Sequence, residues 1–323
     1  MNPFARLTKP LLPSAAVGLT GESAAVVSLD RKRDVLAVRS AGIVDLPEGL
    51  VRPGFDESNV AEPAELADAL RALVTSAGLA RRSRWSIALP EAATRTAILT
   101  LEGTPGSRGE AGEMLRWKTE RTFGTNPDEL RVARYALRPD AQGRARYLAT
   151  AVRLSVVAEY EAAFAALGWH TGLILPRHLG EAWWLARGVR AAGADSLLVS
   201  SHGEGFTAAL LRAGQPVLVR SIACDPEDRA DELYRFLLFY RDRLQPAAGR
   251  DGGGGDAAGA NLSQLLVAGH GLTEETAATI IEETLDAHPH ALRAADVRLS
   301  LPSPELDFAQ IAAPAGLAAQ AFG

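Results

Sequence analysis

The chain has 323 residues, of which 47% are hydrophobic and 23% charged; these are ordinary globular values and enough chain for about two domains. A net charge of -5 without a long Lys/Arg run excludes a nucleic-acid-binding surface, and a single cysteine excludes an internal disulfide. No apolar run is long enough to predict a transmembrane helix. Pro10 and Pro13 interrupt the N-terminal apolar stretch, which argues against a signal peptide.

Hydrophobic spacing and turn residues predict alternating strands and helices along the first half of the chain. The clearest helix begins near Pro63 and ends at Gly78, with leucines at three- and four-residue spacing on one face. The predicted strands are residues 17–29 with a turn at Gly21, 35–38, 85–89, 96–101, a hairpin of 132–137 and 145–152, and 173–175. The predicted helices are residues 63–77, 110–123, 156–167 and 179–191.

The second half repeats this alternation. A run of glycines and alanines at residues 245–261 is predicted to be a flexible loop, because it cannot bury enough apolar surface to order itself. The predicted strands are residues 196–200, a hairpin of 206–211 and 216–222, 265–267 and 297–299, and the predicted helices are 231–244, 274–286 and one that begins near Phe308. A β-meander therefore opens each half, which predicts an α/β protein with two related lobes and a cleft between them.

Several segments, in their order and spacing, resemble the PilM family of type IV pilus assembly proteins. They are residues 44–51, 86–90, 115–120, 127–130, 148–153, 212–220, 266–271 and 313–318. The resemblance implies an actin-like ATPase fold of the duplicated ribonuclease H-like type. It also implies an FtsA-like small α+β domain inserted in the first lobe and a truncated insertion in the second.

The resemblance also implies how the chain divides into domains. The predicted units are a flexible tail at residues 1–16, a first lobe at 17–90, an inserted domain at 91–168, a return to the first lobe at 169–195, a second lobe at 196–300 with the glycine-rich loop at 246–261, and a closing helix at 301–323. The sequence does not say what the glycine-rich loop does.

ATP hydrolysis in this fold needs two phosphate loops, each with an Asp for Mg²⁺ or water and backbone N–H groups for phosphate oxygens. The resemblance places Thr20 and Ser200 at the two Asp positions, and Glu22 and His202 at glycine positions. We therefore predict a pseudo-ATPase without catalytic residues, metal site or required cofactor, and expect neither ATP hydrolysis nor tight binding of Mg-ATP. The positions of this degenerate site are Thr20, Glu22, Ser23, Ser200, His202, Gly203, Gly205, Gly269 and Gly271.

The usual partner of the family is the short cytoplasmic tail of the membrane-anchored protein PilN. The resemblance therefore implies a cytoplasmic scaffold of the pilus alignment complex, held at the inner membrane by its partner and able to associate into a ring. A short extended tail can bind by strand addition or through apolar side chains. The predicted contact residues are Trp85, Ile87, Leu89, Ile98 and Trp117.

Two other interpretations stay open at this point. A divergent nucleotide-binding ATPase would need carboxylates elsewhere in the cleft, such as Glu22 or Glu204, to replace the two missing Asp residues. A GspL-like cytoplasmic component of type II secretion would share the fold and also lack nucleotide chemistry. That relative normally continues into a transmembrane helix, and the lack of one in this sequence favours the PilM-like interpretation.

Overall fold

A computed structural model of the protein describes residues 11–103, 105–188, 194–243 and 262–323. In chain order, the strands are β1 (Ala15–Leu19), β2 (Ser23–Lys32), β3 (Val35–Asp45), β4 (Arg84–Leu89), β5 (Arg95–Thr100), β6 (Leu130–Leu137), β7 (Arg146–Arg153), β8 (His170–Pro176), β9 (Asp195–His202), β10 (Gly205–Arg212), β11 (Gln215–Ala223), β12 (Leu262–Ala268), β13 (His290–Ala291) and β14 (Leu299–Ser300). The helices are α1 (Pro63–Ser76), α2 (Arg108–Phe123), α3 (Leu154–Ala166), α4 (Arg177–Arg187), α5 (Arg229–Arg243), α6 (Glu274–Leu285) and α7 (Phe308–Ala319).

The first lobe is built on a six-stranded sheet in the order β14-β3-β2-β1-β4-β8. Side chains from successive positions of β1 and β4 point to opposite faces, so each strand contributes to two cores. On one face Val17, Trp85 and Ile87 pack against α1 and α3. On the other face Ala16 and Ala88 join the core formed by α4 and α7.

The second lobe is built on a five-stranded sheet in the order β11-β10-β9-β12-β13. Its core contains Leu233 and Phe236 of α5 and Ile281 of α6. The opposite face of β9 and β10 contributes Leu198 and Ala209 to the same core as α4 and α7. The two lobes therefore share an apolar core around these two helices.

The inserted domain is a three-stranded sheet in the order β5-β7-β6 with α2 on one face. Phe55, from the loop that follows β3, is buried in the core of this domain. Arg95 lies over its ring at 4.1 Å from the centroid, and both Arg95 and Arg153 form ion pairs with Asp56. Phe55 and this charged cluster thus link the first lobe to the inserted domain, and Val152 of β7 adds a further apolar contact to the first-lobe core.

Two glycines let α4 and α7 cross at very short range. A Cβ built at Gly180 would overlap the carbonyl oxygen of Ala313, and one built at Gly316 would overlap the carbonyl oxygen of Gly180. No larger residue fits at either position without separating the helices. Because both lobes pack on this helix pair, the crossing sets how the lobes face each other.

Each predicted helix is present and begins within two residues of its predicted start. The prediction for residues 297–299 is wrong, since Val297 ends a short 3-10 helix and the strand is only Leu299–Ser300. This strand pairs with β3 in the first-lobe sheet, not with the second lobe to which residues 196–300 were assigned. A two-residue strand carries too little hydrophobic pattern to be assigned from sequence.

Two predictions concern parts of the chain that fall outside the described residues. They are the glycine-rich loop at 246–261 and the first ten residues of the N-terminal tail. Within the described part of the chain, no helix has both the length and the apolarity needed to cross a bilayer.

Candidate functional site

The loop between β1 and β2 directs its backbone donors inwards. Thr20 Oγ1 accepts hydrogen bonds from the backbone N–H of Glu22 at 3.1 Å and of Ser23 at 2.7 Å. The Thr20 hydroxyl in turn lies 3.0 Å from the Ser23 hydroxyl. These N–H groups are the ones that a phosphate loop would present to its ligand, so in this chain Thr20 takes the place of the anion.

The loop between β9 and β10 faces the first loop across the cleft. Glu22 Oε1 lies 4.0 Å from the position that a Cβ would take at Gly203. This distance places the exposed Glu22 carboxylate beside the loop that would receive the second phosphate contact. Burial lowers the pKa of the neighbouring His202 imidazole, although Glu91 opposes the shift, so we expect this ring to be neutral at pH 7.

The loop that follows β12 closes against the same region. A Cβ at Gly269 would overlap the carbonyl oxygen of Ser201, and a Cβ at Gly271 would overlap the guanidinium of Arg229. Arg229 is 4% exposed and donates to the carbonyl oxygens of His202 at 2.7 Å, Gly203 at 3.0 Å and His270 at 2.8 Å. One arginine therefore ties together two of the three loops that the sequence predicted to form the degenerate site.

The floor of the cleft is a buried polar cluster that sequence reasoning missed. Glu91, in a short 3-10 helix after β4, accepts from the backbone N–H of His178 at 2.5 Å, and its other oxygen lies 2.7 Å from His178 Nδ1. Thr207 of β10 donates to the same carboxylate at 3.3 Å. Groups from the first lobe, from α4 and from the second lobe thus meet at one carboxylate.

The pKa values of two carboxyl groups in this cluster shift in opposite directions. Burial raises the pKa of Glu91, but the charge of His178 and its hydrogen bonds outweigh burial, so the pKa lies below its usual range. Burial raises the pKa of Glu181 despite the ion pair with Arg177 at 3.3 Å. Glu181 is fully buried. Neither carboxyl is arranged to bind a metal ion, because the oxygens of Glu91 accept hydrogen bonds and the raised pKa of Glu181 favours its neutral form.

Ser200, at the second missing Asp position, is 1% exposed. It lies opposite Thr207 in the antiparallel pairing of β9 and β10, so the two side chains share the face on which Glu91 lies.

Gly205 has φ of +141° and its Cα is so close to Ile222 that a Cβ would overlap the Ile222 carbonyl oxygen. The backbone of the turn into β10 therefore accounts for the glycine at position 205, without a role in binding a ligand.

A groove opens at a second place, where the inserted domain meets the first lobe. It has a volume of about 290 Å³ and lies between β8 and the strands β6 and β7. β8 is the last strand of the first-lobe sheet and β6 the last strand of the inserted sheet, so each has an unpaired edge among the described strands. We call this site the edge groove; its walls include Ala133, Thr150, Leu173, Leu175 and Glu161.

A second cavity adjoins the edge groove. Its volume is about 390 Å³, and it shares Ala133, Thr150 and Leu175 with the edge groove. Its remaining wall includes one face of α4, with Leu179 and Trp183, and strands β10 and β11. The inserted sheet therefore has a largely apolar, partly open face towards the rest of the molecule.

No family model and no curated protein matches this chain. Among solved structures, it is similar to one titled "PilM-PilN type IV pilus biogenesis complex", with 18% identity, 97% of this chain and 100% of that chain covered, and a TM-score of 0.76. A Bacteroides thetaiotaomicron protein "with actin-like ATPase fold and unknown function" has 11% identity, 98% of each chain covered and a TM-score of 0.52.

The chain has the actin-like ATPase fold. At these identities the likeness shows the fold alone, and it confirms the predicted fold class. The cytoplasmic domain of EpsL, an inner-membrane component of the type II secretion system of Vibrio cholerae, has 12% identity, coverage of 95% of this chain and 93% of that chain, and a TM-score of 0.48.

In this actin-like fold, three of the five predicted partner contacts are buried. Trp85 and Ile87 are fully buried and Leu89 is 1% exposed. Trp85 stacks on Trp169 at 4.7 Å between ring centroids. β4 lies between β1 and β8, so its residues form core on both faces; the prediction for Trp85 and Ile87 is therefore corrected to a structural role.

The other two predicted contacts remain accessible. Ile98 of β5 is half-buried, and Trp117 of α2 is 55% exposed with Arg121 over its ring at 5.4 Å. Neither residue lines the edge groove or its adjoining cavity, as far as the described residues define them. Leu89 does lie at the wall of the edge groove through β4.

Proposed function

We propose that this protein is a PilM-like scaffold of type IV pilus assembly. It binds an extended cytoplasmic segment of a PilN-like membrane protein and does so without nucleotide. The likeness in fold to a chain from a PilM-PilN complex supports the choice of partner. The partner would hold the protein at the cytoplasmic face of the inner membrane, and self-association into a ring remains a prediction.

The edge groove carries this proposal. Strand edges offer unpaired N–H and C=O groups to an added strand, and side chains of that strand then enter flanking pockets. The edge groove has both features, because β8 and β6 flank it and apolar side chains line it. Its length along β8, residues 171–176, matches a segment of about six residues in extended form.

The cleft supports the nucleotide-independent part of the proposal. The donors of the first loop are used by Thr20, and the carbonyls of the second and third loops are used by Arg229. Glu22 adds a carboxylate beside Gly203, where a phosphate would need a donor or a cation. The alternative of a divergent ATPase would use the exposed carboxylates of Glu22 and Glu204, and these lie on loops whose backbone groups are already engaged by Thr20 and Arg229.

A binding assay with a matched pair of variants tests the proposal. Ala133 is exposed on β6 and lines the edge groove, whereas Ala136 is exposed on the same strand and lines neither described cavity. A labelled peptide with the sequence of the cytoplasmic tail of a PilN-like protein from the same genome is titrated by fluorescence anisotropy. We expect Ala133→Glu to weaken binding by at least about tenfold, because a carboxylate would be buried against the peptide.

The control variant Ala136→Glu adds the same charge to the same strand and should bind the peptide as the wild type does. Both variants should melt at the wild-type temperature, since both positions are exposed. Equal affinities for the wild type and Ala133→Glu would overturn the assignment of the partner to the edge groove.

A further inference from the structure

The two second-lobe loops at the cleft present acceptors where a phosphate site needs donors. Three backbone carbonyl oxygens, from His202, Gly203 and His270, converge within 3.0 Å of the Arg229 guanidinium. Carbonyl dipoles oriented in this way attract a cation and repel an anion. The three carbonyls by themselves therefore favour a cation, and Arg229 supplies it.

We propose that these loops form a guanidinium-binding site and that Arg229 is its permanent, built-in ligand. The inference goes beyond the proposed function, and its test does not involve the partner peptide. The guanidinium suits the site because its planar fork of N–H donors can reach several acceptors at once. Nη2 bridges two consecutive carbonyls of one loop while Nη1 reaches the other loop.

The glycines of the third loop fit this assignment. Gly271 has φ of +106°, and any side chain there would occupy the space of the Arg229 guanidinium. Gly269 has φ of +82°, and a side chain there would overlap the Ser201 carbonyl oxygen at the end of β9. The Gly-His-Gly sequence, which resembles an adenosine loop, is thus accounted for by close approach to β9 and to an arginine.

The position of Arg229 explains why it can serve two loops. It is the first residue of α5, and the helix packs into the second-lobe core through Leu233 and Phe236. Its backbone is therefore fixed by burial of the following turns, and only the side chain reaches the cleft. A buried charge of this kind is costly unless polar groups compensate it. The three carbonyl oxygens accept from Nη1 and Nη2, whereas Nε is buried without a hydrogen-bond partner among the described residues.

Hydrogen exchange of the loops tests the site. Arg229→Ala removes the charged hydrogen bonds that hold the two loops in place. The backbone amides of residues 201–206 and 268–273 should therefore exchange at least about tenfold faster in this variant than in the wild type. Arg235→Ala serves as the control, since Arg235 lies on the same helix, is exposed and pairs only locally with Glu232. That variant should exchange as the wild type does.

Chemical rescue identifies the ligand class. Ethylguanidinium replaces the atoms removed in Arg229→Ala, and we expect it at millimolar concentration to restore the slow exchange of both loops. Ethylammonium has the same charge without the fork and should not restore it. Failure of ethylguanidinium to slow exchange, or equal rescue by both compounds, would overturn the assignment.

Arg229→Lys keeps the test decisive if the alanine variant does not fold. Lysine keeps the charge but is a point donor that cannot bridge both loops, so we expect faster exchange in at least one loop of a folded protein. Wild-type exchange in both loops of the lysine variant would contradict the proposal. Slower exchange of the wild-type loops on addition of Mg-ATP would contradict it equally, since it would show an anion bound where the guanidinium lies.

Discussion

The cleft between the lobes and the edge groove present different kinds of polar group. In the cleft, Thr20, Glu91 and Arg229 engage donors and acceptors from three separate segments, whereas His178 Nε2, Ser201 Oγ and His202 Nε2 are buried without a hydrogen-bond partner among the described residues. In the edge groove, the edges of two described strands lie unpaired beside walls that carry both apolar and polar side chains. A shared fold therefore does not fix the place of recognition, because binding depends on the groups that each site presents and not on the presence of a cleft.

Phe55→Ala should have the largest effect, because it removes an apolar side chain of the first-lobe loop from the core of the inserted domain. Phe55 is 6% exposed in the core of that domain, and truncation of a buried Phe costs about 3 to 5 kcal/mol. Urea denaturation should report this loss, and peptide binding to the edge groove should fall with it. Tyr234→Ala, at a residue 44% exposed, should change stability by less than about 0.5 kcal/mol.

Gly180→Ala tests the close crossing of α4 and α7, the helix pair on which both lobes pack. The added methyl group overlaps the Ala313 carbonyl oxygen, so α4 and α7 must separate, and overpacking of this kind costs about 1 to 3 kcal/mol. Denaturation midpoints measure the loss.

Gly112→Ala is the matched control: it lies within α2 with no atom near its Cβ position, and we expect it to stabilise the protein by about 0.4 to 1 kcal/mol. Similar effects at both glycines would contradict the role assigned to the crossing.

Glu91→Gln should destabilise the protein in a pH-dependent way. The folded protein holds the pKa of Glu91 below its usual range, so the carboxylate contributes stability above the unfolded pKa of about 4.3, and that contribution is lost as pH falls through the folded value. We expect a loss of about 1 to 3 kcal/mol at pH 7 in the glutamine variant. The denaturation curves of variant and wild type should approach each other below about pH 4. A difference in stability that does not change with pH would show that the charge of Glu91 does not stabilise the cluster.

Trp117→Ala should have the smallest effect on stability. The side chain is 55% exposed, so its removal should leave the melting temperature nearly unchanged. The peptide affinity of this variant then shows whether the partner binds only in the edge groove or also on α2. Unchanged affinity agrees with binding in the edge groove, whereas a loss of affinity in a stable protein would extend the partner site onto α2.

The sequence predicted much of the fold because periodic patterns and glycine signals are local. Helix α1 follows from its leucine spacing, and Gly78 marks its end. The three loops of the degenerate site were also predicted, since each follows a strand and contains turn residues. Two of these loops lie close together, with Glu22 Oε1 at 4.0 Å from the Cβ position of Gly203, and their role as a degenerate nucleotide site stays a prediction.

The rest of the site could not be predicted because its members share no motif. Glu91, His178 and Thr207 come from three distant segments and meet only through the crossing of the lobes. Arg229 lies among several charged residues at the start of a helix, and nothing in the sequence distinguishes it from them. Trp85 was misread because an aromatic residue in a short strand fits an exposed edge as well as a buried centre, and only the strand order decides between them.

Peptide binding with and without Mg-ATP tests the central claim most directly. The PilN-like tail peptide is titrated into the wild-type protein, first in buffer without nucleotide and then with millimolar Mg-ATP. The account predicts saturable binding in both titrations with the same affinity, because none of the residues that line the edge groove belongs to the loops of the cleft. Binding that appears only with Mg-ATP, or that strengthens by more than about tenfold in its presence, would show coupling between the two sites and contradict the account.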